Sequence, residues 1–196
     1  MAAQLSPDRI ADLFTRSDGS FLCARWGRPV APVIFGLADQ TLDIFRAAIR
    51  AGFADLGHPV AQTDPEMGAN LMLFFMRDWS ELASIPDLAQ LTGIADLPSR
   101  LSGQQEASQY RLFRFDANGG IRACLGFLRM AGPLAGAHPA ELAETVMMRS
   151  ALSFAREVTA GPPIAALIRA AYDPVLPVAA TDPSHALRLS ARINAA

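Results

Sequence analysis

The sequence predicts an α+β protein: one mixed, mainly antiparallel sheet of about five strands packed against helices, with an all-helical C-terminal third. Three observations carry this. Residues 110–115 and 121–130 flank Asp116-Ala117-Asn118-Gly119-Gly120, and Asn-Gly is the strongest short hairpin signal. Residues 70–76, NLMLFFM, are apolar apart from the opening Asn, the pattern of a central strand buried on both faces. From residue 131 onward only helical patterns follow. The order (helix, strands, helix, strand, helices, hairpin, helices) is not a regular βαβ alternation. A chain of 196 residues, 51% hydrophobic and 18% charged, suits a single domain over 1–196, with a helix/sheet portion at 1–130 and a helical portion at 131–196.

Each element has a local cause. Ser6 caps a short helix with Pro7 first inside it, and Ile10, Leu13 and Phe14 share one face. Aromatic and β-branched residues make strands of 21–26 and 30–35, and Pro32 places the second away from the sheet centre. Asp39 caps a helix over 39–56, where Leu42, Phe45, Ile49, Phe53 and Leu56 recur at spacings of three and four, and Gly57 stops it. Asp78-Trp79-Ser80-Glu81 has capping-box spacing, so a helix restarts there. Pro86, Gly93 and Pro98 break the next stretch into short pieces. If Asn118-Gly119 are the two loop residues, Leu112 faces Leu125 and Tyr110 faces Phe127 on one side, with Phe113 facing Cys124 on the other. Residues 139–158, PAELAETVMMRSALSFAREV, read as one helix, apolar nearly all round and therefore central to the fold. Further helices cover 164–172 and the stretch capped by Thr181-Asp182-Pro183.

Composition removes several chemistries. All 17 basic residues are Arg, which excludes a Schiff-base lysine and a P-loop lysine. A net charge of −2 gives no global case for nucleic acid or an acidic membrane surface as partner. Residues 1–14 lack a basic start followed by an apolar stretch, no apolar run reaches the length of a membrane helix, and Cys23 and Cys124 lack CxxC spacing. A cytoplasmic location with reduced thiols is expected.

The element order resembles that of zincin-like metallopeptidase domains, in which a twisted sheet with one packed helix precedes an active-site helix and a further helix follows. The tail IAALIRAAYDPVLPVAATDP is similar to uncharacterised bacterial families of that architecture. The resemblance covers roughly residues 21 to 182 and implies that helix 139–158 stands where the metal-binding helix belongs. That helix should carry HExxH, yet it offers Glu141-Leu142-Ala143-Glu144-Thr145 and holds no His. The resemblance therefore implies a metal-less relative, and no catalytic residue is carried over.

The site candidates are few. His58, Asp64 and Glu66 group in one loop, but Gly57-His58-Pro59 reads as a helix stop and Asp64-Pro65 as turn chemistry, so no metal site is expected. Ser150 and Ser153 have no nucleophile elbow around them, and Cys23 and Cys124 read as small apolar residues. Arg25, Trp26 and Arg28 set two guanidinium forks and a stacking ring within four residues, a pattern suited to a carboxylate or phosphate. Arg111, Arg114, Arg122 and Arg129 add charge along the hairpin, and without a phosphate loop all these arginines read first as solvated positions paired with acids. Met148 and Leu152, outside the main apolar face of their helix, are candidates for an interface with a protein partner or a second copy, as in a homodimer. The sequence thus points to a non-catalytic protein acting through binding or assembly, a degenerate hydrolase-like domain being one form of it. The alternative is a small-anion binder or enzyme using Arg25, Trp26 and Arg28. No cofactor is implied.

Overall fold

The computed structural model describes residues 5–104 and 106–195; the single-domain reading of 1–196 thus includes residues 1–4, 105 and 196, which lie outside the described residues. The fold is α+β. Helix α1 (Pro7–Phe14) starts at Ser6, whose side chain accepts from the Arg9 N–H, and buries Ile10, Leu13 and Phe14. Strand β1 (Cys23–Ala24) is short, and strand β2 (Pro32–Phe35) opens on its proline. Helix α2 (Asp39–Asp55) buries Phe45, Ile49 and Phe53. Its cap is Ala38 rather than Asp39, which sits in the first turn, where a carboxylate complements the free N–H groups. Strand β3 (Leu71–Met76) follows. Asp78 and Glu81 form the capping box, but the turn they start (Trp79–Ser84) is 3₁₀, followed by α3 (Leu88–Thr92) and α4 (Leu97–Ser102). Strands β4 (Gln109–Phe115) and β5 (Ile121–Arg129) make the hairpin. Helices α5 (Pro139–Ala151) and α6 (Pro162–Ala171), strand β6 (Ala179–Ala180) and helix α7 (His185–Ala195) complete the chain.

The main sheet has four strands in the order β2-β3-β5-β4, and β1 pairs with β6 in a separate two-stranded ladder. The sheet is mixed, but its balance differs from the expectation: β2–β3 and β3–β5 are parallel, and the hairpin pair β4–β5 alone is antiparallel. The cause is connectivity. Helix α2 returns the chain from β2 to β3, and the short helices over 79–102 bring it to β4, so that β5 enters alongside β3. Pro32 begins an edge strand, as its missing N–H requires. The C-terminal third is helical except for β6.

Alternation puts two apolar layers on the two sheet faces. Leu71, Leu73, Phe75, Cys124 and Leu128 join the larger core with α2 and α5. Phe74, Met76, Leu125 and Phe127 meet Trp79, Leu82, Leu88, Leu97 and Leu101 on the other face. One row of this second face is aromatic across all four strands: Phe35 stacks on Phe74 at 4.9 Å, Phe74 on Phe127 at 5.1 Å, and Tyr110 lies 6.4 Å from Phe127.

The hairpin register is the expected one: Tyr110 opposite Phe127, Leu112 opposite Leu125, Phe113 opposite Cys124. The turn is not. Among the described non-glycine residues only Asp87 has positive φ, so Asn118 does not adopt the conformation a two-residue Asn-Gly turn needs. Instead the Gly119 N–H donates to the Asp116 carbonyl, Gly119 alone turns left-handed (φ 81°), and the ladder shifts between Arg114 and Phe115. The Asp116 carboxylate, accepting from the Asn118 and Gly120 N–H groups, favours this wider loop.

A larger correction concerns helix 139–158, which ends at Ala151. Leu152 turns extended and bridges to Arg25. The Ser153 N–H then donates to the Ala24 carbonyl, and its hydroxyl accepts from the Ala24 N–H and donates to the Leu22 carbonyl. Pairing with β1 therefore outcompetes a further turn of helix.

Candidate functional site

The three residues of the Arg25-Trp26-Arg28 cluster have separate surroundings. Trp26 is 1% exposed, and its indole N–H donates to the Ser150 carbonyl at 2.8 Å. The Tyr172 hydroxyl donates likewise to the Ala151 carbonyl at 2.9 Å, so two aromatic donors satisfy carbonyls that the end of α5 leaves free. Arg25 lies over the Tyr172 ring and donates to the Leu176 carbonyl, although its Nε is buried without a partner. Arg28 pairs with Asp64 at 3.4 Å and Glu66 at 3.3 Å beside a cavity of about 390 Å³. The cluster does not converge on one pocket, and Trp26 offers no face for a ligand to stack on.

The 58–70 loop is tied up internally. Asp64 is buried; burial opposes its ionisation, yet the N–H groups of Met67 and Glu66, with Asn70 and Arg28, hold its carboxyl below the usual range. The Asn70 side chain, wholly buried, accepts from the Ala31 N–H at 2.7 Å and donates to the Pro29 carbonyl and to Asp64. The His58 ring nitrogen Nε2 lies 2.9 Å from the Arg28 carbonyl and donates to it. Among the described residues no group of three His, Cys, Asp or Glu side chains could hold a metal ion.

The two interface candidates divide. Leu152 is wholly buried in the core, which leaves it no surface for a partner. Met148 is half-buried and lines an open apolar groove of about 450 Å³ between α2, α5 and α6. Gly52 lets α5 approach closely at the base of this groove, since a Cβ there would lie 2.5 Å from the Met147 sulfur.

A different arginine pair has the character of a site. Arg111 stands on edge strand β4 in the row Leu73–Gly126–Arg111, on the face that α5 covers. Gly126 has no side chain, and Leu73 packs into the space, its Cδ2 2.9 Å from where a Cβ would lie, leaving only a narrow slot between the sheet and Val146 and Ser150 of α5. The Nε and Nη1 atoms of Arg111 are buried and have no hydrogen-bond partner. Burial pulls its pKa below the ordinary arginine value, and the Arg149 charge adds to this while Glu157 opposes it. Arg149, its side chain 11% exposed, donates through Nε to the Val158 carbonyl at 2.7 Å. Its Nη1 is also buried without a hydrogen-bond partner, 3.9 Å from a Glu157 oxygen.

Arg111 opens onto a cavity of about 200 Å³. One wall is β4 at 109–111 and Phe113, and the other is the non-helical segment 154–157 that follows the early end of α5. Phe113 and Phe154 supply apolar surface; Arg156, 3.7 Å from Asp12, and Glu157, 72% exposed at its side chain, supply charge. The arrangement offers a partly buried guanidinium at the side of a cavity, a charge suited to a carboxylate or phosphate. No nucleophile stands ready beside it: the nearby Cys124 thiol is pushed up to about 12 by burial, and the Ser150 hydroxyl donates to the Val146 carbonyl.

Sequence reasoning placed Arg111 only among hairpin charges. The signal was present in the register, because an Arg two residues before Phe113 shares the inward face and lies opposite Gly126. Comparison with family models, with curated proteins and with solved structures finds no match to this chain.

Proposed function

We propose that this is a cytoplasmic, non-catalytic binding protein of bacterial type whose ligand is a small anion held by Arg111, with Arg149 in support. One observation carries the reading: two buried guanidinium nitrogens of Arg111 have no partner, at the side of a cavity. A charged group left unpaired out of water is costly, and a ligand carboxylate or phosphate in the cavity beside the guanidinium supplies a counter-charge. This keeps the anion-binding alternative of the sequence but moves it from Arg25, Trp26 and Arg28 to the cleft beside β4. The relation to zincin-like domains belongs to the same proposal, with α5 in the place of the metal-binding helix. A location in the cytoplasm is consistent with the lack, among the described residues, of any helix long and apolar enough to cross a membrane.

Isothermal titration with acetate and with inorganic phosphate tests the proposal. Saturable binding at one site per chain is expected, weakened at least about tenfold (about 1.4 kcal/mol) in Arg111→Met. No saturable heat, or equal binding by the variant, refutes it. Assembly with a protein partner or a second copy is the second reading, favoured by Met148 in the apolar groove between α2, α5 and α6. Light scattering that finds a concentration-independent monomer removes the second-copy form of it.

A further inference from the structure

The cleft beside Arg111 has walls as well as a charge, and the walls narrow the ligand. Resting on the anion-binding reading, we infer that the ligand is a monocarboxylate with an apolar body, rather than a phosphate or a dianion.

Two features of the lining argue for this. The first is shape: Phe113 on β4 borders the cavity together with Phe154, itself 6% exposed, so the apolar surface an entering group meets is chiefly the Phe113 ring. A volume of about 200 Å³ holds a body about the size of one large side chain beyond the carboxylate. The second is charge. Glu157 borders the same cavity and lies 3.9 Å from Arg149, so the two arginines are already partly neutralised. Arg156, the other cation of the lining, lies 3.7 Å from Asp12. A second negative charge on the ligand would meet the Glu157 carboxylate rather than a free cation. A tetrahedral phosphate would also leave further oxygens facing the Phe113 ring.

A free acid and a zwitterionic amino acid share this chemistry. An ammonium group would add a contact to Glu157, so the two are separated by comparing 3-phenylpropionate with phenylalanine.

The test is calorimetric titration of the full chain with acetate, inorganic phosphate, 3-phenylpropionate and phenylalanine. We expect either phenyl compound to bind at least about tenfold more tightly than acetate, and phosphate no more tightly than acetate. Phe113→Ala should bring the preference for the phenyl compound over acetate to within about twofold. Phenylalanine binding more tightly than 3-phenylpropionate, with the advantage lost in Glu157→Gln, identifies the amino-acid form; the reverse order identifies the free acid. Phosphate binding more tightly than 3-phenylpropionate, or a phenyl preference unchanged by Phe113→Ala, overturns the inference while leaving the anion site intact. If none of the four binds, the anion-binding reading falls, and this inference with it.

Discussion

Arg111→Met should make the ligand-free protein more stable, because two buried nitrogens of the arginine have no partner in the fold. Methionine keeps an unbranched stem beside Gly126 and removes the charged head. Two buried, unpartnered nitrogens disappear with it. Each unmet buried donor costs about 1–3 kcal/mol, and the like charge of Arg149 is relieved as well. Against this stands lost packing around the head, about 1 kcal/mol by analogy with small core truncations. The net expectation is a gain of about 1–5 kcal/mol, the range in which apolar replacements of buried ionic groups fall. At this chain length that is a rise in melting temperature of about 2–20 °C. The assay is urea and thermal unfolding in dilute HEPES, with no carboxylate or phosphate present. Arg111→Lys serves as control, since it keeps the charge and should not share the gain. Added acetate should stabilise the parent by mass action and leave the Met variant unmoved. A Met variant less stable than the parent by more than about 1 kcal/mol would show that Arg111 is a structural residue with partners in the folded state, and the reasoning would fail.

Three further outcomes follow from the same geometry. Gly119→Val should cost about 2 kcal/mol or more in urea unfolding, because Gly119 sits at φ 81° and a Cβ there would lie 3.0 Å from the Ala179 Cβ; a loss under about 0.5 kcal/mol would contradict the turn assignment. Asn70→Ala should cost about 3 kcal/mol, since it strands the Ala31 N–H and the Pro29 carbonyl and removes a donor from Asp64, and chemical denaturation with an unchanged midpoint would disprove that role. Burial lowers the pKa of both His58 and His185, so the unfolded chain binds more protons than the folded one just below the ordinary histidine value of about 6.5. Stability should therefore hold above that pH, fall as pH drops through it, and level off below the depressed folded values; a His58→Gln, His185→Gln double variant that keeps the full slope between about pH 6.5 and 5 would refute the assignment.

Much of the fold was legible because its causes are local. Ser6-Pro7 set the start of α1, the spacing of Phe45, Ile49 and Phe53 set α2, and the NLMLFFM run set a strand at the centre of the sheet. The hairpin register was legible too, since centring it on Asn118-Gly119 sets apolar residues opposite one another on both faces. What misled were places where a distant partner decides. Residues 152–154 keep a helical apolar pattern, but Ser153 satisfies Leu22 and Ala24 from across the chain and draws the segment into an extended conformation. Strand direction between β3 and β5 depends on the path through 79–102, which no local pattern encodes. Trp26 read as a ligand-stacking ring because its true partner, the Ser150 carbonyl, is 124 residues away. Arg111 was visible only as one charge among several until its register partner Gly126 and the cover of α5 were both in place.

The most direct test of the central claim watches the Arg111 guanidinium itself. In an ¹⁵N–¹H correlation spectrum of the arginine Nε–H groups, assigned by comparison with Arg111→Lys, acetate is titrated into the full-length chain. The account predicts that the Arg111 Nε–H signal moves saturably, with the same midpoint as the calorimetric binding curve, while that of Arg169, paired with Asp55 on the surface, stays in place. An Arg111 signal that remains fixed through saturation, or one that moves no more than Arg169, would contradict it.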